Sequence, residues 1–233
     1  EDRLRLAVLG LGCAALAAAA VALGAMRRPY YLDHDPEYAY LLNGLNLLQA
    51  TVPGHFDHPG TPLQVLAAIV IWVRWIFGGA GSPLEDAVLR APETYLLAIH
   101  FTLALGVGAC AWVAAREMWR RTGNWLAALA VPLVLPFLTQ PAIALARVTP
   151  EPMLIGLTLL AFACALAIVP ATTVPASWKR LPADLKRLGI VLGLGVATKV
   201  TFGPVLALVA LAPRGSCRAT LTWAAGAFVL AIA

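Results

Sequence analysis

The sequence predicts an all-α, polytopic transmembrane protein, and three observations carry that prediction. Hydrophobic residues make up 61% of the 233 positions and charged residues 12%, with a mean hydropathy of +0.80. A water-soluble domain carries about twice that share of charge. Apolar runs of about 17 to 25 residues, the length that crosses a bilayer as a helix, recur along the chain. Lysine and arginine concentrate in the short breaks between those runs, as the positive-inside rule expects of cytoplasmic loops. The formal charge of +5 is modest, and no basic stripe is interleaved with aromatics, so nucleic acid is not an expected partner.

The first apolar run covers residues 6–26 and is rich in Ala, Leu and Gly. It is longer than the apolar core of a secretory signal, and a polar segment follows it instead of a small-residue cleavage site, so it reads as the first span. Residues 27–93 then form a long first outward loop. Its polar part, 27–62, holds Asp33, His34, Asp35, Glu37, His55, Asp57 and His58, the densest set of titratable groups in the chain. Within it, residues 36–50 place Tyr38, Leu41, Leu42, Leu45 and Leu48 on one side, with Glu37, Asn43, Asn46 and Gln49 around the rest of the wheel. That pattern predicts a helix lying in the interface. Residues 63–77 are apolar but short for a span and carry Arg74, which predicts a second helix tucked back on the same side. A Gly/Ser/Pro break at 78–83 ends it.

Further apolar runs follow at 94–115, 125–138, 152–169, 188–212 and from 219 onward. Arg116, Arg120 and Arg121, then Lys179, Arg180, Lys186 and Arg187, then Arg214 and Arg218 mark three basic loops, all expected in the cytoplasm. Arg27 and Arg28, outward in this arrangement, run against the rule. Two crossings join the first two basic loops and leave residues 139–151 outward. A single helix over 188–212 would place the third basic loop outside and bury Lys199 in mid-membrane, so the sequence predicts a helical hairpin with its tip near Lys199. Each arm then has about a dozen residues, roughly 18 Å at 1.5 Å per residue, short of the hydrocarbon thickness. Such a tip needs a wet, protein-lined cavity. Pro132 and Pro136 likewise interrupt the run at 125–138. The four cysteines, Cys13, Cys110, Cys164 and Cys217, have no ligand-like spacing and read as packing residues. The whole of 1–233 reads as one transmembrane module, the N-terminal portion of a longer protein, ending inside a span.

The candidate chemistry gathers on the outward face. Asp33 and Asp35 supply carboxylates and Arg147 and Lys199 cations, the set needed to take a proton from an attacking hydroxyl and to hold a departing phosphate. Each also has a plainer reading. Asp35 fits a helix N-cap with Pro36 at the first helical position. Arg147 suits an interfacial anchor, and Glu151 favours the dipole at the start of the following helix. Lys199 is also compatible with a structural ion pair to Asp33, Asp35 or Glu151. His55 and His58 in a Pro-containing loop suit a structural role as well as a metal, and His100 within a span suits a helix bridge.

Residues Asp33 to Ala39, reading Asp-His-Asp-Pro-Glu-Tyr-Ala after the first span, resemble the first-loop acidic motif of the GT-C superfamily of polyprenyl-phosphate-dependent glycosyltransferases. That superfamily includes oligosaccharyltransferases, protein O-mannosyltransferases and lipid A aminoarabinose transferases. His58-Pro59-Gly60-Thr61-Pro62-Leu63 resembles the His-Pro-Pro-Leu element of the mannosyltransferase-like branch. Arg147 with Glu151 is similar to the second outward motif, and Gly193 to Lys199 to the glycine-rich run ending in Thr-Lys. The resemblance implies sugar transfer from a polyprenyl-phosphate donor to a hydroxyl acceptor at the outer face of a bacterial inner membrane. The base then lies in the Asp33/Asp35 pair, Arg147 and Lys199 face the lipid phosphate, and Glu151, His58 and Tyr38 line the substrate site. His34 separates acids that are adjacent elsewhere in the superfamily, so either aspartate fits; Asp-Pro followed by an aromatic favours Asp35. The Asp-x-Asp spacing serves a metal-free site or one holding Mg or Mn. The alternative is a polytopic transporter or lipid flippase, since broken helices with a polar residue at the break also build transport sites.

Overall fold

The computed structural model describes residues 2–26, 37–52, 54, 61–78, 81–135, 139–168, 181–211 and 216–232. Every regular element among them is helical, in the order α1 (Asp2–Met26), α2 (Glu37–Leu48), α3 (Thr61–Gly78), α4 (Leu84–Arg90), α5 (Pro92–Thr122), α6 (Trp125–Val134), α7 (Thr139–Leu145), α8 (Pro150–Ile168), α9 (Leu181–Thr198), a 3-10 helix (Val200–Leu211) and α10 (Cys217–Ile232). Among the described residues, α1, α5 and α8 are long and apolar enough to cross a membrane. The all-α expectation therefore holds over these residues. Asp33, Asp35, His55, Asp57 and His58 lie outside them.

Local sequence explains the helix ends. The 31-residue α5 opens with Pro92 and Glu93 in its first turn and closes with Arg120 and Arg121 in its last, each charge favourable to the helix dipole. Gly123 then adopts φ +67° and its amide donates to the Trp119 carbonyl at 2.8 Å, a left-handed cap that a residue with a Cβ takes up at a cost. Asn124 immediately restarts the chain as the N-cap of α6, its side-chain oxygen accepting from the Ala127 amide at 3.1 Å. At about 1.5 Å per residue α5 is about 46 Å long, more than a bilayer core needs.

Side-chain neighbours give the helix directions. Gly108 lies against Cys13 and Ala17 while Gly24 lies against the His100 ring, so α1 and α5 run antiparallel. Gly156 packs on Cys110, and the Arg121 guanidinium donates to the Ala167 carbonyl at 2.6 Å, so α5 and α8 run parallel. Gly12 meets Leu129 and Pro132, aligning α6 with α1. On α8, Glu151 and Met153 meet Lys199 and Thr198 of the last helical turns, so α9 opposes α8. In α9 and α10, Gly189 abuts Thr220 and Trp223, and Gly193 abuts Ala224 and Ala227. Both numbers rise together, so α9 and α10 are parallel.

That last register decides the path between them. From Lys186, whose ammonium sits 4.4 Å from the centre of the Trp223 ring, α9 advances about 20 Å to Lys199. For α10 to start again beside Lys186, the 3-10 helix must come back. Its 12 residues, at about 2.0 Å each, return about 24 Å. The hairpin expected at Lys199 is present, with two differences from the sequence reading. The first arm begins at Leu181, earlier than the apolar run, because Lys186 and Arg187 continue the helix toward the basic end. The second arm is 3-10, not α, and its longer rise per residue covers more depth with few residues.

The same directions bring Arg3, Arg5, Arg116, Arg120, Arg121, Lys186, Arg187 and Arg218 to one end of the bundle, and Arg147, Glu151 and Lys199 to the other. Helices α2, α3 and α4 stay at that second end. Their buried residues, among them Tyr40, Leu41, Leu45, Leu63, Ile71 and Val88, cluster with Tyr95, Leu96, Ile99 and Leu103, all in the first dozen residues of α5. Trp75 of α3 donates its indole N–H to the Ser82 carbonyl at 3.0 Å, tying α3 to the residues just before α4. The buried residues of α2 are Glu37, Tyr40, Leu41, Asn43, Gly44 and Leu45, whereas Leu42, expected on the apolar side, is exposed. Gly44 is the cause. It lets the Ala67–Ala68 backbone of α3 come so close that a Cβ there would lie 2.8 Å from Cβ of Ala67.

Candidate functional site

The site is built on three chain breaks at one end of the bundle. The first is the start of α2. Glu37, two residues after Asp35, is fully buried in the first turn, and its carboxylate accepts a hydrogen bond from the Val148 amide at 2.8 Å. Next to it, the Tyr38 hydroxyl donates to Glu93 in the first turn of α5 at 2.9 Å. These two bonds pin the residues that follow Asp33 and Asp35 to the turn before α8 and to the start of α5. Asn43, further along the same helix, accepts from the Gly54 amide at 3.0 Å.

The second break is the turn from α7 to α8, residues 146–149. The amides of Ala146 and Arg147 donate to Ile143 and Ala144, closing tight turns at the end of α7. Arg147 is half-buried between Ala146 and Val148, both buried. The turn is braced from behind by His100, a fully buried residue of α5 whose Nε2 lies 2.8 Å from the Leu145 carbonyl. A carbonyl only accepts, so that nitrogen carries the proton. His100 thus bridges α5 to α7, two residues before Arg147.

The third break is Lys199 itself. Its amide donates to the Gly195 carbonyl at 3.1 Å, the last α-type bond of α9, and its carbonyl accepts from the Phe202 amide at 3.0 Å, the first 3-10 bond. Phe202 folds its ring over Gly195, where any Cβ would collide with it. Thr198 donates its hydroxyl to Leu194 at 2.8 Å, satisfying itself within the helix. The Lys199 ammonium lies 2.5 Å from Oε1 of Glu151, with side chains 19% and 34% exposed respectively. A lysine facing lipid in mid-span costs about 2.5 to 3.5 kcal/mol on insertion scales, and the run that contains Lys199 holds no acid. The compensating carboxylate comes from the start of α8, a partner that only the fold supplies.

Beside this pair opens a cavity of about 370 Å³ lined by Leu135, Pro141, Ala144, Glu151, Leu154, Ile155, Thr158 and Leu159. Glu151 faces it, while the rest of the wall is mostly apolar. The structure therefore brings Arg147, Glu151 and Lys199 to one end of the bundle and sets the Asp35-proximal end of α2 against the Arg147 turn. Tyr38 is engaged with Glu93, and His58 falls outside the described residues. Among the described residues, no group of three His, Cys, Asp or Glu side chains is placed to hold a metal ion. Sequence reasoning passed over Glu37 as one polar position on an amphipathic wheel. Its place in the first turn after Asp35-Pro36 was a signal, but the partner, the Val148 amide, is 111 positions away.

Compared with protein-family models, with curated protein sequences and with solved structures, the chain gives no match.

Proposed function

We propose that this chain is the sugar-transferring part of a polytopic membrane glycosyltransferase that takes its sugar from a polyprenyl phosphate and delivers it to a hydroxyl acceptor. The observation that carries this reading is the gathering at one end of the bundle, opposite the basic end, of Lys199 at a helix break, Arg147 in a braced turn, and the residues just after Asp33 and Asp35. By the positive-inside rule the basic end faces the cytoplasm, which turns the site outward, toward the periplasm of a bacterial inner membrane.

In this reading a carboxylate of the Asp33/Asp35 pair accepts the acceptor's hydroxyl proton as the new bond to the sugar's anomeric carbon forms. The bond from that carbon to the phosphate oxygen breaks, and the lipid phosphate departs as an anion. Arg147 and Lys199 bind that phosphate and stabilise the charge it gains. The apolar cavity along α8 fits the first isoprene units of a chain whose phosphate reaches the outward end. A broken helix with a cation at the break also describes a transporter, and one experiment separates the two. Purified protein is mixed with a polyprenyl-phosphate sugar and a hydroxyl acceptor. Release of free polyprenyl phosphate with a glycosylated acceptor supports transfer; movement of intact donor across vesicles without cleavage overturns it in favour of transport.

A further inference from the structure

Lys199 and Glu151 are not equally sheltered. The lysine side chain is 19% exposed and the glutamate 34%, so the lysine is the more sheltered of the two. Glu151 alone of the two lines the cavity along α8, whose other walls include Leu135, Leu154 and Ile155. The cavity is thus lined by the acid of the pair and not by the base.

We infer that Glu151 is an exchangeable placeholder. It neutralises Lys199 while the site is empty and swings aside when a phosphate monoester on an apolar chain enters the cavity, the phosphate taking its position on the ammonium. This rests on the reading of Lys199 as a lipid-phosphate ligand. Three physical points favour exchange over a permanent pair. A lysine at the end of an apolar run is stabilised by a paired anion, and in this structure Glu151 is that anion. A phosphate monoester carries about −1.5 to −2 charges and three acceptor oxygens, more than one carboxylate offers. The displaced carboxylate does not become stranded: Glu151 lies in the first turn of α8, where the unpaired amides and the helix dipole favour negative charge, and water reaches a third of its side chain.

The inference has a sign that a structural ion pair lacks. If Glu151 competes with the ligand for Lys199, removing its charge strengthens ligand binding. The test measures binding of dodecyl phosphate, with inorganic phosphate as the chain-free comparison, to the full chain in neutral detergent by calorimetry. Glu151→Gln is expected to bind dodecyl phosphate at least about fivefold more tightly than the wild type, the low end of ordinary coupling between sites. Lys199→Met is expected to lose that binding. If wild-type binding depends on Lys199 but Glu151→Gln binds no tighter, exchange is overturned while the phosphate role of Lys199 stands. If the wild type shows no Lys199-dependent binding, that role fails and exchange fails with it. Inorganic phosphate binding as tightly as dodecyl phosphate overturns the part given to the cavity. Should Glu151→Gln not fold, Glu151→Asp keeps the charge but draws it back by one methylene, and a variant no tighter than wild type again overturns the exchange.

Discussion

The Glu37 carboxylate accepts a hydrogen bond from the Val148 amide at 2.8 Å, joining residues 111 positions apart in a fully buried contact. The bond ties the helix that follows Asp33 and Asp35 to the turn that carries Arg147, so two segments with separate proposed roles move as one unit. Glu37→Ala leaves the Val148 amide buried without this acceptor, which costs about 1 to 3 kcal/mol. The variant is expected to melt at a lower temperature and to lose transfer activity beyond what its unfolded fraction explains. Glu37→Gln, which retains an acceptor oxygen, is expected to recover most of both. Thermal melts and turnover measured on the same preparations check this, and equal activity in all three proteins would remove Glu37 from the site.

Asp35→Asn is expected to abolish transfer while leaving donor binding largely intact, with Asp33→Asn the next most damaging change. Loss of general-base assistance lowers turnover by about 10²- to 10⁴-fold. Normal turnover in both folded variants would place the base elsewhere.

Lys199→Met removes the charge at the helix break and keeps much of the apolar stem. The expected result is a folded protein with much weaker affinity for a lipid-phosphate donor. Unchanged donor affinity together with a lower melting temperature would assign the Lys199–Glu151 pair to stability alone.

Gly193→Ala tests the parallel contact of α9 and α10. A Cβ at Gly193 collides with the Ala224 carbonyl oxygen, a backbone atom that cannot rotate away. Forcing the helices apart is expected to cost about 1 to 3 kcal/mol, the usual penalty for overpacking. Gly226→Ala, where a Cβ meets nothing within 4 Å, is the control expected to melt like the wild type.

Single-cysteine labelling in intact cells, after replacement of Cys13, Cys110, Cys164 and Cys217, checks the orientation. A cysteine at Ser82 is expected to react with an impermeant reagent from outside, and one at Gly123 only after permeabilisation. Reaction of Ser82 from the cytoplasm would contradict the tucked placement of α3.

The sequence alone determined the class of helices, where the charge breaks fall, and that residues 188–212 turn back at Lys199. These follow from the cost of charge in an apolar run and from the lengths that helices need, properties of consecutive residues. It also singled out Arg147, Glu151 and Lys199 one by one. Tertiary structure brought Glu151 to Lys199: the three acids stood equal by sequence, and the packing of α8 against α9 sets Glu151 2.5 Å from the ammonium. The 3-10 conformation of the returning arm and the parallel register of α9 and α10 also come from the structure, not from periodicity. The bracing of the Arg147 turn by Glu37 and His100 was likewise out of reach of periodicity. A buried carboxylate and a buried imidazole must find polar partners, but nothing local to either residue names an amide or a carbonyl on a distant turn.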